Sequence, residues 1–288
     1  MITSVANEKV KYVRSLYRRR VRYRERLFVI EGVRLVREAF RAGIVPALLF
    51  YGEETDAIPG GRELLEEARK REFAAFAVSE QVMKATADTV APQGVLAVVP
   101  FVELAPPLAL SLVLVIDHLR DPGNLGAILR SANAAGVEQV ILAPKTVDPY
   151  NPKVVRGAMG AHFRLPTMAL SWPEIAETLT GVQILLADVR GEQAHYEVDW
   201  TKASALIIGG EARGASQEAR ELAADTIAIP MHGGAESLNA AVAASVILFE
   251  AARQRYGEHG CTGFTDCWTC NRSVNPANRR SDQQVTQL

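Results

Sequence analysis

Residues 118–136 read HLRDPGNLGAILRSANAAG, preceded by the apolar run SLVLVID (111–117) and followed, after Val137 and Glu138, by QVILAP (139–144). Two short runs rich in Val, Ile and Leu with a helical pattern between them read as a strand–helix–strand unit of a parallel sheet. Within the helix, Leu125, Ile128, Leu129 and Ala132 recur at helical spacing and form the core-facing stripe. Pro122 suits the first turn, Asn124 offers a side-chain oxygen as a cap, and Gly136 is placed to end the helix. Arg130 stands off the apolar stripe among Ala127, Ser131, Asn133 and Ala134, small neighbours that suit close approach of another group.

Outward from this unit the alternation continues. Before it, strand candidates at 27–32, 46–52, 73–78 and 94–100 alternate with helices at 33–42, 62–70 and 79–87. After it, strands are expected at 162–167, 182–188, 204–210 and 225–231, with helices at 172–181, 216–224 and a long one at 237–256 for which Ser237 is the expected cap. ELAPPLAL, with two prolines, marks a boundary between two α/β units. The expected division is a small N-terminal α/β domain over 1–103, a linker over 104–110, a mostly parallel α/β domain over 111–257 and a tail over 258–288.

The 288 residues are 48% hydrophobic, enough for sizeable cores, and carry no apolar run long enough to span a bilayer. The N-terminus lacks the apolar stretch of a secretory signal, and a body without cysteine fits a reducing compartment, so a cytoplasmic protein is expected. Formal net charge is −1, but Lys9, Lys11, Arg14, Arg18, Arg19, Arg20, Arg22, Arg24 and Arg26 crowd one stretch against Glu8 and Glu25. Lys11, Arg14, Arg18 and Arg22 fall at helical spacing, a basic stripe suited to RNA phosphates or else a solvated helix face. His259, Cys261, Cys267 and Cys270 lie in the tail; a lone CxxC is a weak metal signature, so no metal is expected, and the polar run after it reads as disorder.

Two further strand ends carry unusual residues. In LIIGGEARGAS (206–216) Gly209 and Gly210 end a strand and Glu211 follows; a plain glycine turn is the bland account. In IAIPMHGGAESLNAAVAASV (227–246) a strand enters a Gly-Gly loop, and Asn239 sits where helix propensity is poor. Ligands of parallel sheets bind outside the carboxyl ends of the strands, where all three stretches fall. VIDHLRDPGNLG does not supply the glycine fingerprint of a dinucleotide site, and G-x-S-x-G and H-E-x-x-H are absent.

Taken together, DPGNLGAILRSANAAG (121–136), IIGGEARGAS (207–216) and IPMHGGAESLNAAVAASVILFEAARQR (229–255) resemble, in order, the signature motifs of the SpoU (TrmH) family of RNA ribose 2′-O-methyltransferases. NPKVVRGAMGAHFRLP (151–166) is similar to the segment that family carries between them, and residues 3–40 resemble the substrate-binding domain of its rRNA-directed members. The resemblance implies a C-terminal trefoil knot, a homodimer, and S-adenosylmethionine held against Gly209, Gly210, Ile229, Met231 and Leu238. It places Asn124, Arg130, Glu211, Ser237 and Asn239 on the family's polar positions as candidate catalytic residues. Family arginines at this position are often assigned as the base, but a guanidinium stays protonated, so Arg130 is expected to hold a phosphate and steady the developing alkoxide. Ala241 stands where a serine is usual, and Gly157 and Ala158 stand where alanine and serine are usual. The expected activity is 2′-O-methylation of 23S-type rRNA, with tRNA as the second substrate class and an inactive RNA-binding or ribosome-assembly protein as the non-enzymatic alternative.

Overall fold

The computed structural model of the chain describes residues 1–71, 73–211 and 214–257. Two sheets divide it. The first contains β1 (Leu27–Glu31), β2 (Leu48–Tyr51), β3 (Ala75–Ala77) and β4 (Val95–Pro100) in the order β1-β4-β2-β3, with β4 antiparallel to both of its neighbours and β2 parallel to β3. Side chains alternate across this sheet. Phe28, Ile30, Ala97 and Val99 pack on one face with helices α3 (Val33–Arg41) and α4 (Gly61–Lys70), while Val29, Phe50, Leu96 and Val98 pack on the other with α1 (Glu8–Ser15) and α5 (Glu80–Thr86).

The basic stretch does not form one helix. α1 ends at Ser15 and a second short helix, α2 (Arg19–Glu25), begins after Arg18. Arg22, expected on the exposed stripe, is buried at 3% exposure; its Nη1 donates to the carbonyls of Leu16 (3.0 Å) and Tyr17 (2.7 Å), which the broken helix leaves free. Lys11, Arg14 and Arg18 remain exposed.

The second sheet has seven strands: β5 (Leu112–Ile116), β6 (Gln139–Leu142), β7 (Thr167–Ala169), β8 (Gln183–Ala187), β9 (Gln193–Ala194), β10 (Ser204–Ile208) and β11 (Asp225–Ala228). Their order is β7-β6-β5-β10-β8-β11-β9 and every pairing is parallel. The central strands β5 and β10 are buried along their whole length, which is why they read as continuous apolar runs. Leu112, Leu114 and Ile116 face the helices α6 (Pro122–Ala134) and α10 (Ala240–Tyr256); Val113 and Val115 face α8 (Trp172–Thr178) and α9 (Gln217–Leu222). α6 keeps the expected stripe, with Leu125, Ile128, Leu129 and Ala132 buried and Gly136 in the left-handed region at φ 80° just past its end.

The expected strand at 162–167 is a 3₁₀ turn (Ala161–Phe163) followed by β7, because Gly160 and His162 belong to a segment folded back on the N-terminal sheet. That segment starts with α7 (Pro152–Ala158), which crosses α6 so closely that a Cβ on Gly126 would lie 3.0 Å from the Cα of Gly157. Val155 and Phe163 are buried within the core of the first sheet, so the two units share a packed seam. At that seam Arg22 Nη2 donates to Asp148 Oδ2 (2.6 Å), the Tyr23 hydroxyl donates to Asp148 Oδ1 (2.9 Å), and Phe101 stacks on Tyr150 at 3.7 Å. Among the described residues no helix is long and apolar enough to cross a membrane. His259, Cys261, Cys267 and Cys270 lie outside the described residues.

Candidate active site

The sheet order turns at the pair β5 and β10, so the crevice outside their carboxyl ends is the place where a ligand is expected. All three stretches read from the sequence meet there. Asp117, which ends β5, is fully buried and accepts a hydrogen bond from the backbone N–H of Ser216 at 2.6 Å, tying the loop after β10 to β5. Gly210 lies against the same turn: a Cβ there would sit 2.5 Å from the His118 carbonyl oxygen, so only glycine fits.

A chain of side chains joins the three loops. Asn124 Nδ2 donates to Glu211 Oε1 at 2.7 Å, and Asn239 Nδ2 donates to Asn124 Oδ1 at 3.0 Å. Asn239 Oδ1 in turn accepts from the backbone N–H groups of Ala241 (2.9 Å) and Val242 (3.3 Å). A carboxylate can only accept, so it fixes which way Asn124 points, and Asn124 then fixes Asn239. The polarity of the chain is consistent from Glu211 to the start of α10.

Two cap assignments change. α6 is capped by Asp121, whose Oδ1 accepts from Asn124 N at 2.8 Å, with Pro122 as the first helical residue; Asn124 is not the cap and its amide is free to bridge. α10 is capped by Asn239 and begins at Ala240, three residues later than expected, so Ser237 is not its cap.

Beside this chain lies a cavity of about 500 Å³, within the range of small-molecule sites. Gly209, Gly210, Ile229, Met231 and Leu238, the residues expected to meet a cofactor, all line it, as do Glu211, Ser237 and Asn239. Ile208, Ile227 and Ile247 supply apolar wall. Asn124 and Arg130 are not on the wall; Asn124 reaches its rim through Glu211 and Asn239, while Arg130 is exposed on α6 with no ion pair or hydrogen bond among the described residues. From Asn124 to Arg130 the helix axis advances roughly 9 Å.

Sequence reasoning missed Asp188 on the cavity wall. Its Oδ1 accepts from the Arg190 N–H and its Oδ2 from Arg220 Nη1 (both 3.0 Å), and these bonds, the backbone one foremost, hold its carboxyl below the usual range. The acid closing VQILLAD (182–188) was a usable signal, since it is the same strand-end position as Asp117. Asp117 itself gave none, because its partner lies 99 residues away.

The SpoU rRNA methylase family model matches residues 111–249, and a model of the MRM3-like substrate binding domain matches residues 7–97. The chain is 34% identical over 253 residues to the 23S rRNA (guanosine(2553)-2′-O)-methyltransferase RlmP of Bacillus subtilis, covering 86% of this chain and 97% of that protein. It is 35% identical over 241 residues to the 23S rRNA (uridine(2479)-2′-O)-methyltransferase of Streptomyces viridochromogenes, covering 79% of this chain and 83% of that protein. The crystal structure of the SpoU methyltransferase AviRb from that organism, in complex with AdoMet, superposes with a TM-score of 0.77 at 32% identity, covering 86% of this chain and 98% of that one.

Proposed function

The chain belongs to the SpoU rRNA methylase family, and from that premise we propose that it transfers the methyl group of S-adenosylmethionine to a ribose 2′-OH of 23S-type rRNA. The observation that carries this reading is the Glu211–Asn124–Asn239 chain, which binds three separate loops around one cavity. The cavity suits the cofactor: glycine backbone at Gly209 and Gly210 leaves polar main chain open, and Ile208, Ile227 and Ile247 offer apolar surface to an adenine. When bound, S-adenosylmethionine supplies a methyl already activated on sulfonium.

The protein's own contribution is alignment and charge. Glu211 and Asn239, at the cavity edge, hold the loops in register. Arg130, a permanent cation, holds a phosphate beside the target ribose and stabilises the negative charge that O2′ acquires as its proton leaves. The 2′-OH proton leaves to a phosphate oxygen or to water, since the guanidinium has no free lone pair to take it.

In this reading residues 1–103 bind the RNA, with Lys11, Arg14 and Arg18 exposed for phosphate contact, and residues 111–257 carry out transfer. The similarity of residues 7–97 to a substrate-binding domain, and the rRNA substrates in the names of the relatives, favour rRNA over tRNA. A cytoplasmic protein with a trefoil-knotted C-terminal segment belongs to the same reading; the path of residues 231–239, from β11 past the end of β10 to Asn124, supports the knot. So does a homodimer. α10 exposes Val242 (49%), Val246 (38%), Phe249 (51%) and Tyr256 (58%) along one face, and it packs beside α6, so a second copy covering this stripe would bring Arg130 to the interface.

The test is transfer of tritium from labelled AdoMet into 23S rRNA and tRNA isolated from cells that lack the gene. Label in 23S rRNA alone is expected; label in tRNA alone would overturn the substrate assignment. Phe249→Asp should convert the protein to monomers by light scattering and abolish transfer.

A further inference from the structure

The turns after β5 and β6 are laced together. Thr146 Oγ1 donates to the Ile116 carbonyl at 3.0 Å and the Val147 N–H to the Leu119 carbonyl at 2.8 Å. Each turn holds a non-glycine residue in the left-handed region, His118 at φ 54° and Lys145 at φ 68°. Side-chain-bearing residues seldom adopt that conformation, and where they do the site is often functional. The strain here aims two loops that rise on the same rim as Asn124 and the buried Asp117.

These two loops carry Arg120 and Lys145, both exposed and neither in an ion pair or hydrogen bond among the described residues. Among the described residues, other cations of the same domain are neutralised: Lys153 by Asp121, Arg156 by Asp88, Arg164 by Glu38 and Arg220 by Asp188. Arg190 is also free of a carboxylate, but it follows β8, on the far side of β10. The loop of Lys145 then runs three residues on to Asp148, whose carboxylate holds buried Arg22 and lies 4.0 Å from Arg19, which is 70% exposed. The basic stretch of the N-terminal domain is therefore anchored at the end of the same rim.

We infer that Arg120 and Lys145 form a phosphate-contact track carrying the RNA strand from the Arg19 side of the N-terminal domain to the reacting ribose at Asn124 and Arg130. This rests on the reading that the substrate is RNA. Free cations on adjoining loops offer contacts to backbone phosphates, and contacts of this kind position a strand without reading its sequence. Arg120 and Lys145 are positioning residues and do not take part in the chemical step.

The experiment is filter binding of in vitro transcribed 23S rRNA across a salt series, with the full chain and its Arg120→Ala, Lys145→Gly and double variants. Lys145→Gly removes the charge while suiting the left-handed backbone, so folding is preserved. Lys202→Ala, whose charge is paired with Asp199 near the amino end of β10, serves as the control. Each track substitution should lower the slope of log affinity against log salt by about 1 and weaken binding roughly fivefold at moderate salt. AdoMet affinity by calorimetry and turnover at saturating RNA should be unchanged. A double variant with the wild-type slope would overturn the track, and so would a drop of the same size in Lys202→Ala. The readout needs no catalysis, so an active enzyme with an unchanged slope refutes only the track, whereas wild-type binding without methylation refutes only the activity.

Discussion

Arg130 carries its charge on an exposed face of α6 with no ion pair among the described residues, while the side chains nearest it in sequence are small or already engaged. Ser131, for example, lies 2.8 Å from the hydroxyl of Ser245. An exposed guanidinium without a carboxylate partner is available to an anionic substrate. Arg130→Ala should therefore lower turnover on rRNA by about 10²–10³-fold, the loss found when a charge-stabilising donor is removed. Its AdoMet affinity by calorimetry should match wild type, because Arg130 is absent from the cavity wall. A comparable loss of AdoMet binding would mean that the arginine serves the cofactor instead. The position of Arg130 off the apolar stripe was visible in the sequence; the burial of Arg22 was not. Spacing alone puts Arg22 with Lys11, Arg14 and Arg18, but its partner Asp148 is 126 residues away.

At the scale of elements, the first turn of α10 has two duties. Asn239 caps it through Oδ1 and bridges to Asn124 through Nδ2. Asn239→Ala should lower stability to denaturant by about 1 kcal/mol from the lost cap. It should also reduce turnover, whereas Ser237→Ala should leave stability unchanged; equal losses would contradict the assignment of the cap. Both residues fit a cap by composition. What distinguishes Asn239 is its bond to Asn124, 115 residues away, a tertiary demand with no local mark. At α6 the expectation of Asn124 as the cap overlooks a cue the sequence does carry. Proline favours the first helical position, so Pro122 points to Asp121 as the residue before it, leaving Asn124 to bridge. The strands of the second sheet were legible wherever they are buried on both faces, as in β5 and β10. The segment 162–167 was misread as a strand because its apolar residues serve two cores, Phe163 packing in that of the other domain and Leu165 in its own.

At the scale of the whole molecule, the two sheets share a seam that is apolar, aromatic and ion-paired together. His162 sits in it, its Nε2 2.8 Å from the Pro149 carbonyl, an arrangement that requires the proton on that nitrogen. Burial strips the charged form of water and holds its pKa below the ordinary 6.5, and the Pro149 carbonyl and Asp148 only partly oppose this. As pH falls the unfolded chain takes up this proton first, so the stability present above about pH 6.5 is lost as pH drops toward the lowered native value. Melting temperature should fall between about pH 7.5 and pH 5.5 in the wild type, and less steeply in His162→Gln. Equal slopes would show that this histidine does not control the seam.

The most direct measurement exploits the chemistry of the product. A methyl on O2′ removes the internal nucleophile that cleaves RNA in alkali, so tritium transferred from AdoMet to 23S rRNA by this protein should survive alkaline hydrolysis in a dinucleotide. Label recovered in mononucleotides would place the methyl on a base and contradict ribose methylation; no label in any rRNA would contradict the activity itself.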